Sequence, residues 1–427
     1  MTHDPRLTTH DSRLTAGKDP VRSRIPLFAL TGALTFSLVA CSSSPVDRSS
    51  GDSSDDGHGA VAGAEEVAEP QLGLTSIDAD GTVRHLDLLD ESVTEIGEVS
   101  SPSALTTDGR YLFAQTDDGI EIVDSGVWTW DHVDHFHYYR ADPAVLGTVH
   151  GEGTAAVATT NLSTTGGTGI SFHDSGDAVL LDTQALSKGE ISELFRIERE
   201  PHEGLVVPVG SFALVTEASD GIATTVRGYT AGGEETGLDE PCIAPAGTIT
   251  TRVGAVIGCQ DGALLAHVDG DELQVERIPY PAGTTAPAAT SFDNREGRPT
   301  VAGLAGSQGI WMLDTRARAW TLLPSPAPLA HVTAVDDEDG HLLALTQDGR
   351  VLVLNGDDGS VLAETAPLAA QSLSSGAEPT LIADQHRAYL SAPSERRLYE
   401  IDYADAARIA RTFETLTEPA FIAETGR

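Results

Sequence analysis

The chain has 427 residues, and its 65 Asp and Glu outweigh 26 Lys and Arg to leave a formal net charge of −39. So acidic a surface repels nucleic-acid phosphates and anionic lipid headgroups, which excludes nucleic acid as a partner, and it draws cations. With 43 glycines and 22 prolines, the composition suits many tight turns better than long helices.

At the N-terminus, Arg22-Ser23-Arg24 precedes an uncharged run over 25–39 that stops at Leu38-Val39-Ala40-Cys41. A run of about 15 apolar residues falls short of the roughly 20 that span a bilayer, and small residues border the cleavage point. Residues 1–40 therefore read as a lipoprotein signal peptide with Cys41 as the lipid-modified first residue. The chain is expected to be exported and held on the outer face of the cell membrane by that lipid. Residues 41–70 consist largely of Ser, Gly, Asp, Glu and Ala. They lack the apolar side chains to build a core and are expected to form a disordered tether, with His58 solvated in it.

From about Leu72 to the end, over 71–427, one phrase recurs: a short apolar strand, a tight turn, and a second strand often closing on Asp. The turns are Asp80-Gly81, Asp118-Gly119, Ser175-Gly176, Asp220-Gly221, Asp261-Gly262, Gln308-Gly309, Asp348-Gly349 and Ser394-Glu395. Asp-Gly between alternating apolar strands is a strong hairpin signal, because the turn needs positive φ. Blade-sized spacing and the absence of a 3.6-residue apolar period predict an all-β fold, a β-propeller of eight blades, with seven as the alternative because the third copy carries an insertion at 162–169. The first copy lacks its opening strand, while the unused apolar segment 419–425 resembles one. The C-terminal strand is thus predicted to complete the N-terminal blade and close the ring.

Cys242 and Cys259 remain as an even pair once Cys41 is lipidated. In an oxidising compartment they read as a disulfide.

The chemistry-bearing stretch is Asp131-His132-Val133-Asp134-His135-Phe136-His137. In an extended backbone, His135 and His137 share one face, as two-histidine zinc ligands on strands do. Aligning the copies puts this stretch just before an expected inner strand at 144–147. His202 falls just before the inner strand at 204–207, and His331 just before that at 332–335. His135, His137 and His202 are therefore expected to be the zinc ligands at the channel mouth, with His331 as a fourth ligand or neighbour. Asp131, Asp134, His132 and Glu203 are expected to support them from outside the coordination sphere. Trp128, Trp130, Phe136, Tyr138 and Tyr139 are expected to pack around the site.

At these residues the sequence resembles the AztD-type periplasmic zinc metallochaperones. The resemblance rests on Asp134-His135-Phe136-His137-Tyr138-Tyr139-Arg140, on Pro201-His202-Glu203-Gly204 with Val206-Val207-Pro208, and on Cys242 with Gly258-Cys259-Gln260-Asp261-Gly262. The closing Ile401-Asp402-Tyr403 and Phe421-Ile422-Ala423-Glu424-Thr425-Gly426 add to it. It spans essentially all of 72–427 and implies a β-propeller that binds Zn²⁺ outside the cytoplasm. It also implies transfer of that ion to the substrate-binding protein of a zinc ABC importer, with His135, His137 and His202 as the zinc set. The chain departs from the pattern after Cys242, where Ile243-Ala244-Pro245-Ala246-Gly247 carries no histidine, and in a tether that holds only His58.

The leading expectation is a monomeric zinc chaperone that catalyses no reaction. Two other classes fit the residues less well. One is a zinc hydrolase with Glu203 as general base, although no Gly-x-Ser-x-Gly or His-Glu-x-x-His motif occurs. The other is a metal-free interaction propeller.

Overall fold

The computed structural model describes residues 59–131 and 135–427. The expected signal peptide, Cys41 and His58 lie outside the described residues, as do His132 and Asp134.

Each of the eight hairpin phrases falls in a separate antiparallel sheet, and each of the eight turns joins the second and third strands of its sheet. Sheet 2 shows the plan, with Ala104–Thr107 innermost, then Tyr111–Thr116, Gly119–Asp124 and Ala144–His150 outermost. Sheets 3 to 8 follow in chain order at 155–198, 206–241, 248–279, 300–323, 329–364 and 381–414. Sheet 6 has three full strands, and its inner strand is reduced to a bridge from Asp293 to Ala302. The turn chemistry is as the sequence implies: Asp220 and Gly221 have φ of 56° and 74° between two directly paired strands, the double positive φ of a two-residue hairpin.

Sheet 1 is closed by the far end of the chain. Pro419–Thr425 is its innermost strand and pairs with Gly73–Asp78, with Gly73 opposite Thr425. The expected closure by a C-terminal strand is therefore found.

Apolar packing completes the ring. One buried cluster joins sheets 1 and 2 through Ile77, Val83, Leu112 and Val123, and others link 2 to 3, 3 to 4, 4 to 5, 5 to 6, 6 to 7 and 7 to 8. The last unites sheets 8 and 1 through Tyr389, Leu398, Leu74 and Ile422. Every sheet thus buries both faces against its neighbours, which is the β-propeller solution to sheets that would otherwise expose an apolar face. Cys242 and Cys259 are joined by a disulfide inside the cluster between sheets 4 and 5.

Two departures from the sequence reading bear on the site. Residues 144–147 belong to the outermost strand of sheet 2, pairing with Gly119–Asp124, and are not an inner strand. The histidine stretch consequently does not lead into a blade. It lies in a hairpin, Val127–Asp131 with Phe136–Arg140, inserted between the third and fourth strands of sheet 2. The second departure is in the expected tether: Glu65–Val67 is a strand that adds to this hairpin, pairing with Phe136–Arg140. Local pattern hid both, because a short insertion and a short edge strand follow the same two-residue alternation as a blade strand.

Candidate metal centre on the inserted hairpin

The hairpin leaves sheet 2 at Asp124, whose strand partner Tyr111 begins just after the inner strand Ala104–Thr107 ends. It therefore stands at the end of the channel where inner strands terminate. There the C-terminal segment holds it: the Thr129 backbone N–H donates to the Arg427 carbonyl at 3.0 Å, and the Thr129 hydroxyl donates to the Gly426 carbonyl at 2.8 Å. Asp131 meets Arg252 of sheet 5 at 3.6 Å.

Strand alternation puts Trp128, Trp130, His135, His137 and Tyr139 on one face of this small sheet, with Glu66 beside them from the added strand. The two Nε2 atoms of His135 and His137 face each other at 2.9 Å. His137 Nδ1 lies 2.7 Å from a Glu66 carboxylate oxygen. A carboxylate accepts only, so Nδ1 carries the proton and donates it, leaving the Nε2 lone pair of His137 directed at His135. His135 Nε2–H then donates to that lone pair. One proton occupies a point that two imidazole nitrogens share, and a metal ion there would replace it.

The separation suits that replacement. Two nitrogens each about 2.0–2.1 Å from a tetrahedral zinc are roughly 3.3 Å apart, so the rings need open only a few tenths of an ångström. Glu66 supplies the carboxylate–histidine pairing that fixes tautomer and ring orientation in such sites. His135 and the neighbouring Phe136 are exposed, Phe136 by 52%. Phe136 projects away from the site instead of packing around it as expected. Nothing in the sequence pattern singled out Glu66.

The other expected ligands lie elsewhere. His202 precedes its inner strand, Val206–Val209, and so sits at the opposite end of the channel from the hairpin. It is buried, with Nδ1 2.6 Å from the Glu200 carbonyl and Nε2 2.9 Å from the Thr216 hydroxyl. Both ring nitrogens serve the loop that holds Leu205, whose N–H donates to the same hydroxyl. Glu203 is exposed on that loop. His331 lies within the inner strand of sheet 7, Leu329–Ala334, with Nε2 2.7 Å from Asp293 of sheet 6. The structure thus brings together His135 and His137 but neither His202 nor His331 with them. Among the described residues, no three His, Cys, Asp or Glu side chains converge as a metal-binding group.

Below the hairpin, the channel holds a cavity of about 350 Å³ lined by the ends of inner strands, including Asp108, Asn161, Thr250, Asp293, Glu296 and Arg427. Arg427 lies between Glu296 at 3.3 Å and Glu424 at 3.2 Å. Burial raises the pKa of Asp108 to about 7 and that of Glu424 to about 8, and it raises that of Glu296 as well. Desolvation outweighs the Arg427 charge for both glutamates.

No family model matches the chain. Among solved structures it is similar to AztD of Citrobacter koseri, in a crystal structure and in a structure of the apo protein. Each aligns with a TM-score of 0.72 at 19% identity, over 84% of this chain and 99% of that one. A dihydro-heme d1 dehydrogenase, NirN, aligns with a TM-score of 0.50 at 14% identity, over 84% of this chain and 76% of that one. The chain therefore has the AztD β-propeller fold over nearly the whole of that protein's length.

Proposed function

We propose that this protein is an extracytoplasmic zinc-binding metallochaperone that holds Zn²⁺ between His135 and His137 at one mouth of the propeller channel. The observation that carries this reading is the pair of facing Nε2 atoms 2.9 Å apart, with Glu66 on the far side of one ring. Imidazole donors suit zinc, and a carboxylate behind an imidazole sharpens its lone pair. The AztD-like fold, and the resemblance at 134–140, support the same function.

Two imidazoles leave coordination positions for further donors, and His132 and Asp134, which lie outside the described residues, are the nearest in sequence. Two ligands among the described residues, short of a closed four-ligand cage, favour exchange over permanent retention. The reading is accordingly one of capture and transfer, with no reaction catalysed. Glu203, the general base a hydrolase would need, is on the His202 loop. The proposed recipient is the substrate-binding protein of a zinc ABC importer. A lipid on Cys41 would hold the carrier on the outer face of the membrane beside it, and the net charge of −39 would draw cations to the surface.

Metal analysis of the purified protein tests this reading. Zinc is expected to co-purify, or to bind on titration at neutral pH, and to be lost in the double variant His135→Ala with His137→Ala. Undiminished zinc in that variant would move the site off the hairpin.

A further inference from the structure

We propose that Arg110, Trp128 and Tyr139 are positioning residues for the His135/His137 site, forming a stacked column that ties the His137 ring to the propeller body. The column begins at Asp124, the last residue of the third strand of sheet 2. Its carboxylate accepts two hydrogen bonds from Arg110, from Nε at 3.0 Å and from Nη2 at 2.7 Å. Arg110 is 2% exposed, and its guanidinium carbon lies 3.7 Å from the centroid of the Trp128 ring. Trp128 stacks on Tyr139 with centroids 5.3 Å apart and planes 21° from parallel. Tyr139 in turn lies 6.3 Å from the His137 ring, at 20°.

Backbone register builds this order. Trp128 and Tyr139 are direct partners across the hairpin, and His137 is two residues from Tyr139 on the same face. The middle of the column is pinned by the Trp128 indole N–H, which donates to the Gly59 carbonyl at 3.1 Å. Stacking at these separations is attractive, and an Arg face over an indole is more so when desolvated.

The column does what the Glu66 contact cannot. A single hydrogen bond to Nδ1 favours one tautomer but leaves the ring free to swing about that contact, and a ring that swings away from Glu66 exchanges tautomers. A flat neighbour at 20° restricts the ring plane, and so keeps Nε2 aimed at His135. A metal site loses affinity when its ligands are held only loosely, since supporting residues typically account for 10–100-fold. Arg110 thus adds a side-chain link from the rigid blade to the aromatic face of a hairpin whose backbone the C-terminal segment already holds.

This inference rests on the zinc reading for its consequence, but its geometry can be tested without metal. In metal-free protein with ¹⁵N-labelled histidine, long-range ¹H–¹⁵N correlation should show His137 as a single Nδ1–H tautomer. Tyr139→Phe keeps the stack and should preserve that signature together with zinc affinity. Tyr139→Leu removes it, and should give averaged His137 ring signals and zinc binding weaker by about 10–100-fold. Arg110→Lys retains a charge for Asp124 but loses the planar face. It is the second variant and should move both readouts in the same direction. Unaltered His137 signals in folded Tyr139→Leu and Arg110→Lys proteins would overturn the column. Wild-type protein that binds no zinc would instead overturn the zinc reading, while the tautomer comparison would still decide the column.

Discussion

His137 Nδ1 lies 2.7 Å from the carboxylate of Glu66, a residue 71 positions earlier in the chain, because the strand Glu65–Val67 pairs with the edge of the inserted hairpin. The contact orients one ligand without supplying another. Glu66→Ala should therefore weaken zinc binding by about 10–100-fold, as removal of a supporting carboxylate commonly does. The Glu66 side chain is 57% exposed, so the melting temperature should barely change. Isothermal titration with zinc, alongside a thermal melt, checks both halves.

His202 should behave in the opposite way. Its two ring nitrogens are engaged by the Glu200 carbonyl and the Thr216 hydroxyl, so His202→Ala leaves buried polar partners unmatched. A loss of about 1–3 kcal/mol of stability is expected, with the zinc stoichiometry intact. Denaturant unfolding and a metal titration on the same variant separate this from a ligand role, in which binding would fail while stability held.

The ring is closed by Pro419–Thr425, and Ile422 and Ala423 of that strand belong to the clusters on either side of sheet 1. Deleting 419–427 removes a full ladder of hydrogen bonds and exposes both clusters. It also removes the Gly426 and Arg427 carbonyls that hold Thr129. The melting temperature should fall by roughly 10 °C or more, given about 2–4 °C per kcal/mol for a chain of this order of size. Zinc binding should weaken with it. An unchanged melt would disprove closure at this strand.

Stability should depend on pH through Asp108, which burial raises to about 7 while the unfolded chain titrates near 4. Between those values the folded protein keeps a proton that the unfolded chain has lost. The favourable contribution is therefore present at acid pH and is lost as pH rises from about 4 to about 7. Asp108→Asn keeps an oxygen that can accept from the Arg110 and Tyr111 N–H groups but has no proton to lose. Relative to wild type, it should gain on the order of 2–4 kcal/mol between pH 4 and pH 8. Urea unfolding at the two pH values measures the difference.

Much of the propeller was legible in the sequence because its signals are local. Asp-Gly turns demand positive φ, and apolar strands flank them, so eight hairpins and a spare C-terminal strand can be read without knowing how the sheets pack. The His135-x-His137 pair was legible for the same reason, since alternation alone puts the two rings on one face. What failed were statements about distant parts of the chain. His202 aligns with the pair only if 144–147 is an inner strand, and a four-residue pattern cannot tell an inner strand from an outer one. Glu66 lies among small and acidic residues that offer no apolar stripe, and only its partner strand gives it order. Arg110 reads as an ordinary turn residue until the hairpin folds Trp128 over it.

The proposed function requires one zinc ion between two imidazoles on the inserted hairpin. Anomalous scattering at the zinc absorption edge, from crystals of the zinc-loaded protein, tests it most directly. A single strong peak about 2.0–2.1 Å from Nε2 of both His135 and His137 is expected. A peak at His202, at the Asp293–His331 pair, or in the channel cavity, with none on the hairpin, would contradict the account.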